Sequence, residues 1–104
     1  MLILIKSFNE VPIQYRIDNK SIYGIIDRLV IHSDYTHIID YKTHTDTSLT
    51  QQQKFVELFT PQLQYYSTGI NKLWPDKPVK ASILFTHNIN LIDVDLSRST
   101  TTHV

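Results

Sequence analysis

The sequence contains no cysteine. Disulfides, zinc–thiolate sites, iron–sulfur clusters and a cysteine nucleophile are excluded together, and the lack suits a reducing compartment. Glycine occurs only twice and proline four times in 104 residues, which argues against a linker or a low-complexity chain. An excess of one charge sign is also missing, because ten Lys+Arg balance ten Asp+Glu. No global basic field marks a nucleic-acid binder, so any such surface has to be local. The apolar start Met1-Leu2-Ile3-Leu4-Ile5 falls far short of the roughly 20 residues that cross a bilayer. It also lacks the basic start of a signal peptide. A cytoplasmic protein with no membrane partner is expected.

What is present suits one small domain with a packed core. Hydrophobic residues make up 41% and aromatics 11%, and the length fits a single core. The expected division is one domain over residues 1–96 and a flexible tail over 97–104, where no apolar pattern remains.

Strand patterns dominate the first half. Residues 2–7 form a short apolar run, followed by an expected bend at Phe8-Asn9-Glu10. Val11, Ile13, Tyr15 and Ile17 alternate with Pro12, Gln14 and Arg16, the period of a half-buried strand. Asp18-Asn19-Lys20-Ser21 is a turn signal, so residues 11–18 and 22–32 are expected as an antiparallel hairpin. Both faces of residues 22–32 are largely apolar, which predicts a central strand covered on both sides. After the turn Ser33-Asp34-Tyr35, residues 37–43 read as a third, also central, strand.

Residues 44–50 are polar and read as a loop. Phe55, Leu58, Phe59, Gln62, Leu63, Tyr66, Ile70 and Leu73 then recur at helical spacing. Thr60-Pro61 suits an N-cap and first turn, which predicts a short helix to about Phe59 and a main helix from Pro61 to Trp74. One kinked helix is the alternative. Pro75-Asp76-Lys77-Pro78 ends it. Residues 79–87 and 89–96 read as two antiparallel strands across His87-Asn88. The fold class is therefore α/β, a small mixed and largely antiparallel sheet with one main helix packed on it.

Chemistry concentrates where charge enters apolar strands. Asp27 interrupts Ile25-Ile26-Asp27-Arg28-Leu29-Val30-Ile31, and Asp40 closes His37-Ile38-Ile39-Asp40. Buried charge is costly without a partner or a metal. If the two strands are neighbours, both carboxylates enter one cleft and repel, and a divalent cation removes that penalty. Alternation sends Asp40 and Lys42 to one face, with the Tyr41 carbonyl between them as a further ligand. Such a set suits phosphodiester hydrolysis, the metal activating water and the lysine stabilising charge. The five histidines lack tight ligand spacing. His44 is the one to watch, because it follows Lys42 into the loop beside the cleft. No nucleophile-elbow pattern and no phosphate loop are present.

These segments also resemble a known family. Gly24-Ile25-Ile26-Asp27-Arg28-Leu29, Ile39-Asp40-Tyr41-Lys42-Thr43 and Gln62-Leu63-Gln64-Tyr65-Tyr66 follow the order and spacing of the motifs of RecB-type nucleases. Those enzymes belong to the PD-(D/E)XK superfamily. The likeness extends over roughly residues 10–95 and is greatest to the C-terminal nuclease domain of AddA-type helicase–nucleases. The resemblance implies a DNase that uses Mg²⁺ (or Mn²⁺) and acts on single-stranded DNA ends. Asp27 and Asp40 would be metal ligands with the Tyr41 carbonyl, and Lys42 the catalytic lysine. Gln62 and Tyr66 would meet the substrate; apart from the likeness, Arg28 is a basic residue suited to lining a DNA path. A helicase portion and an AddB-like partner subunit are implied as well. Glu10 matches the family's strand-leading glutamate. Two departures go with the likeness: no counterpart to the family's upstream metal-site helix precedes Glu10, and no helicase motor is present. A truncated nuclease module is therefore expected.

Overall fold

A computed structural model describes residues 5–43 and 48–97. Strand β1 runs Lys6–Ile17, β2 Lys20–Ile31 and β3 Thr36–Lys42; helix α1 spans Leu49–Leu73, and β4 (Val79–Phe85) and β5 (Asn90–Val94) follow. The five strands form one sheet in chain order. All neighbours are antiparallel except β3 and β4, which are parallel and joined through α1. The fold class is the expected mixed sheet with one helix packed on it.

The β1–β2 hairpin turns through Asp18 and Asn19, both with positive φ. Asn and Asp tolerate that region, and two such residues match the twist of a type I′ hairpin turn. The expected bend at Phe8-Asn9-Glu10 is absent, because β1 passes through it as a continuous strand. What breaks alternation there is Glu10, at φ 52°. Val11, Ile13 and Tyr15 lie towards the helix on one side of it, and Phe8, opposite buried Leu29, does so on the other. β2 does the same. Gly24 and Ile26 meet the helix layer, and then Leu29 does, so the faces exchange at Asp27-Arg28. The register is identical on both sides of the irregularity, and Glu10 and Asp27 lie opposite each other with no pairing between them. Each strand thus carries one residue beyond what alternation needs.

Helix α1 is a single helix of 25 residues, so the alternative reading holds and the two-helix expectation is corrected. Ser48 caps it, its side chain accepting from the Gln51 N–H at 3.3 Å. Thr60 is not a cap. Its hydroxyl donates to the Val56 carbonyl one turn back, as Ser and Thr do inside helices. Pro61 lies within the helix; the packing of Leu63, Tyr66 and Ile70 on the sheet outweighs its cost. The core joins these three to Ile13, Ile26, Leu29, Ile38, Ile83 and Phe85.

The other expectation to correct concerns β2. It is covered on one face only among the described residues: Tyr23 is 67% exposed and Ile25 49%. On that outer face a polar chain crosses three strands. His37 Nε2 lies 2.7 Å from Ser82 Oγ, which donates to Asp93 Oδ1 at 2.8 Å. The serine proton faces the carboxylate rather than the imidazole, so this is a cross-strand tie and not a nucleophile–base pair. Burial lowers the His37 pKa.

Candidate active site

The β2–β3 ladder ends at the pair Arg28–Ile39. The next residues on the same register are Asp27 and Asp40, and there the strands no longer pair. Asp27 fills the gap with its side chain. Its Oδ2 accepts the Tyr41 N–H at 2.8 Å, standing in for the missing ladder bond. This is where the face exchange in β2 matters: an aspartate in regular alternation after Ile26 would leave on the outer face. At the exchange point its carboxylate can reach the neighbouring strand. An antiparallel residue points its N–H and C=O to the same edge. Tyr41 therefore also turns its carbonyl to the gap that holds Asp27.

Asp40 is 7% exposed and on the helix side of β3. Burial raises its pKa most, and the Asp27 carboxylate raises it further, while Lys42 works in the opposite direction. Lys42 Nζ lies 2.9 Å from Asp40 Oδ2, as β-alternation requires of residues two apart. That oxygen has the ammonium beside it but no aligned hydrogen bond. The ammonium also lies 3.7 Å from the centre of the Phe59 ring on α1, a cation–π contact that fixes its position. One turn further along α1, Gln62 Nε2 donates to Tyr66 Oη at 2.9 Å. Tyr66 packs against Gly24, where a side chain would collide with the hydroxyl end of its ring.

The fold thus brings Asp27, Asp40, Tyr41 and Lys42 together, with Gln62 and Tyr66 on the adjoining helix. Arg28 does not join them. It pairs with Ile39 and leaves on the face away from the helix. His44 lies outside the described residues. Among the described residues no third Asp, Glu, His or Cys completes a group around the two carboxylates. The donor set still fits a small hard cation: two facing carboxylates, one with an unaligned buried oxygen, and a carbonyl edge, since magnesium takes one or two carboxylates and keeps several waters. Tyr23 and Tyr65 escaped the sequence reading. Each sits beside a singled-out residue, but only the fold brings both to the border of one cleft.

No helix among the described residues is long and apolar enough to cross a membrane. Comparison with curated proteins returns no match. The family model of the PD-(D/E)XK nuclease superfamily matches residues 4–101, nearly the whole chain. The chain belongs to that superfamily.

Proposed function

We propose, from membership in the PD-(D/E)XK nuclease superfamily, that this chain is a metal-dependent DNA nuclease module of the RecB/AddA type. It would act within a helicase–nuclease that processes double-strand breaks, together with a helicase portion and an AddB-like partner subunit. The observation that carries the reading is the pair Asp27–Asp40 facing across the β2–β3 splay with Lys42 at 2.9 Å from Asp40.

In this reading Asp27, Asp40 and the Tyr41 carbonyl hold Mg²⁺ (or Mn²⁺). The ion, when bound, lowers the pKa of an attacking water and neutralises phosphate charge. The chain's own residues do the rest. Asp27 keeps the strands apart at the site by occupying the Tyr41 N–H. Lys42, steadied by Phe59, places its ammonium where charge builds on the phosphate oxygens. Water adds to phosphorus, the bond to the leaving oxygen breaks, and that oxygen takes a proton. Gln62 and Tyr66 form the side of the site nearest the incoming strand.

The two-carboxylate set without a third ligand among the described residues also favours a second reading, a non-catalytic remnant or docking module. One experiment separates them. Mg²⁺ and Mn²⁺ are titrated calorimetrically while cleavage of labelled single-stranded DNA is followed. Cleavage that vanishes in Asp40→Ala and Lys42→Ala supports the nuclease. Metal binding without cleavage supports the second reading. No binding at millimolar metal sinks the site.

A further inference from the structure

β2 is paired on both edges only over its last residues. Between Lys20 and Ile26 the edge away from β1 has no strand or backbone partner among the described residues. Beside this stretch lies a cleft of about 470 Å³, bounded on its other side by α1. That volume falls within the range of small-molecule and nucleotide sites. Its lining joins Tyr65 and Tyr66 of α1, with Leu58, Pro61 and Gln62, to residues 21–23 at the edge of β2. Tyr66 is buried, held by Gln62 and seated on Gly24, so it is a fixed wall. Tyr65 is 48% exposed, so its ring is open to a ligand, whereas Tyr23 belongs to the outer face of β2.

We propose that this cleft stacks a nucleobase of single-stranded DNA beside the cleavage site. Aromatic rings accept any base by stacking, whereas a base inside a duplex is already stacked and must be extruded first. The position follows from β2 itself. Asp27 lies four residues beyond Tyr23, about 13 Å along an extended strand. At about 3.4 Å per stacked nucleotide that is roughly four nucleotides, and fewer where the DNA strand is extended. The inference rests on the nuclease reading for where the phosphate lies, but stacking itself needs no catalysis.

The test uses the full chain with EDTA present, so that binding is read without cleavage. Fluorescence anisotropy measures a labelled oligothymidine of about 12 nucleotides and a duplex of equal length. Tyr65→Ala is expected to weaken single-strand binding about 5- to 160-fold. Tyr65→Phe, which keeps the ring, is expected to bind like the parent chain. Circular dichroism confirms that the variants are folded; the Tyr65 ring is half exposed, so its loss leaves the core intact. Unchanged single-strand affinity in Tyr65→Ala overturns the proposal, as does an equal loss on duplex. Adding Mg²⁺ separates this from the nuclease reading. Cleavage with tyrosine-independent binding rejects the cleft alone. Tyrosine-dependent binding with no cleavage supports the cleft and rejects catalysis.

Discussion

Gly24→Ala tests how the helix is seated against the site-bearing hairpin. Gly24 has no positive φ, so its backbone conformation is open to any residue. By strand propensity alone, alanine would stabilise β2 by roughly 0.5–1 kcal/mol. Packing predicts the opposite sign. A Cβ at this position would lie 2.5 Å from Tyr66 Cε1 and 2.7 Å from Cζ, and its nearest contact is the hydroxyl oxygen. Ordinary contact begins at 3.4 Å, so the ring has to retreat by about 0.9 Å. Tyr66 is only 5% exposed and has little room to do so. Overpacking of this kind costs about 1–3 kcal/mol, and loss of the Gln62–Tyr66 bond adds about 1 kcal/mol. For a domain of this size the fall in Tm is on the order of 10–20 °C. Thermal and urea unfolding followed by circular dichroism measure it. Tyr66→Leu should destabilise the parent chain yet cost much less in the Gly24→Ala background, a coupling of about 1–3 kcal/mol. An unchanged or raised Tm for Gly24→Ala would refute the packing argument outright.

Asp27→Asn keeps an acceptor for the Tyr41 N–H and is expected to unfold near the parent midpoint while losing metal-dependent cleavage; Asp27→Ala removes the bond and should cost a further 1–3 kcal/mol in urea unfolding. The raised Asp40 pKa predicts a pH trend of definite sign. The folded chain holds this proton where the unfolded chain has lost it, so the Asp40 contribution to stability falls as pH rises above the ordinary 3.8 towards the raised folded value. Urea midpoints from pH 4 to 8 in EDTA, with Asp40→Asn subtracted, check this, and a difference that grows more stabilising with pH contradicts it. Pro61→Ala restores an N–H inside α1 and should raise the Tm, with a gain of about 1–3 kcal/mol; a drop would mean that the pyrrolidine ring's packing matters more than the helix bond.

Much of this arrangement was legible in the sequence because it rests on short-range patterns. Alternation gave the second half of β1 and apolar runs gave β2 and β3, the Asp-X-Lys spacing put Asp40 and Lys42 on one face, and i,i+4 spacing joined Gln62 to Tyr66. The misses have equally physical causes. Asn9-Glu10 looked like a bend because an extra residue breaks alternation just as a turn does, and nothing local says that β2 carries a matching one. Thr60-Pro61 looked like a helix start because cap propensity is local, whereas the continuity of α1 comes from the sheet beneath it. Arg28 was read for its charge, as a residue to line a DNA path; charge does not say on which face of a strand it leaves, and it pairs with Ile39 away from the helix. The His37–Ser82–Asp93 tie draws one residue from each of three strands, and no spacing in the sequence announces it.

The paired irregularity at Glu10 and Asp27 can be put in terms of local conflict. Removing either residue alone would turn one strand inside out relative to its partner. Removing both would leave a regular hairpin in the same register, with uninterrupted alternation and left-handed residues only at its turn. A sheet built only for stability would omit them. The chain retains an imperfect hairpin, and the place of its imperfection is the place of its carboxylate. Consensus or idealising redesign of this domain would therefore find its easiest gain in stability at the two positions whose loss dismantles the site.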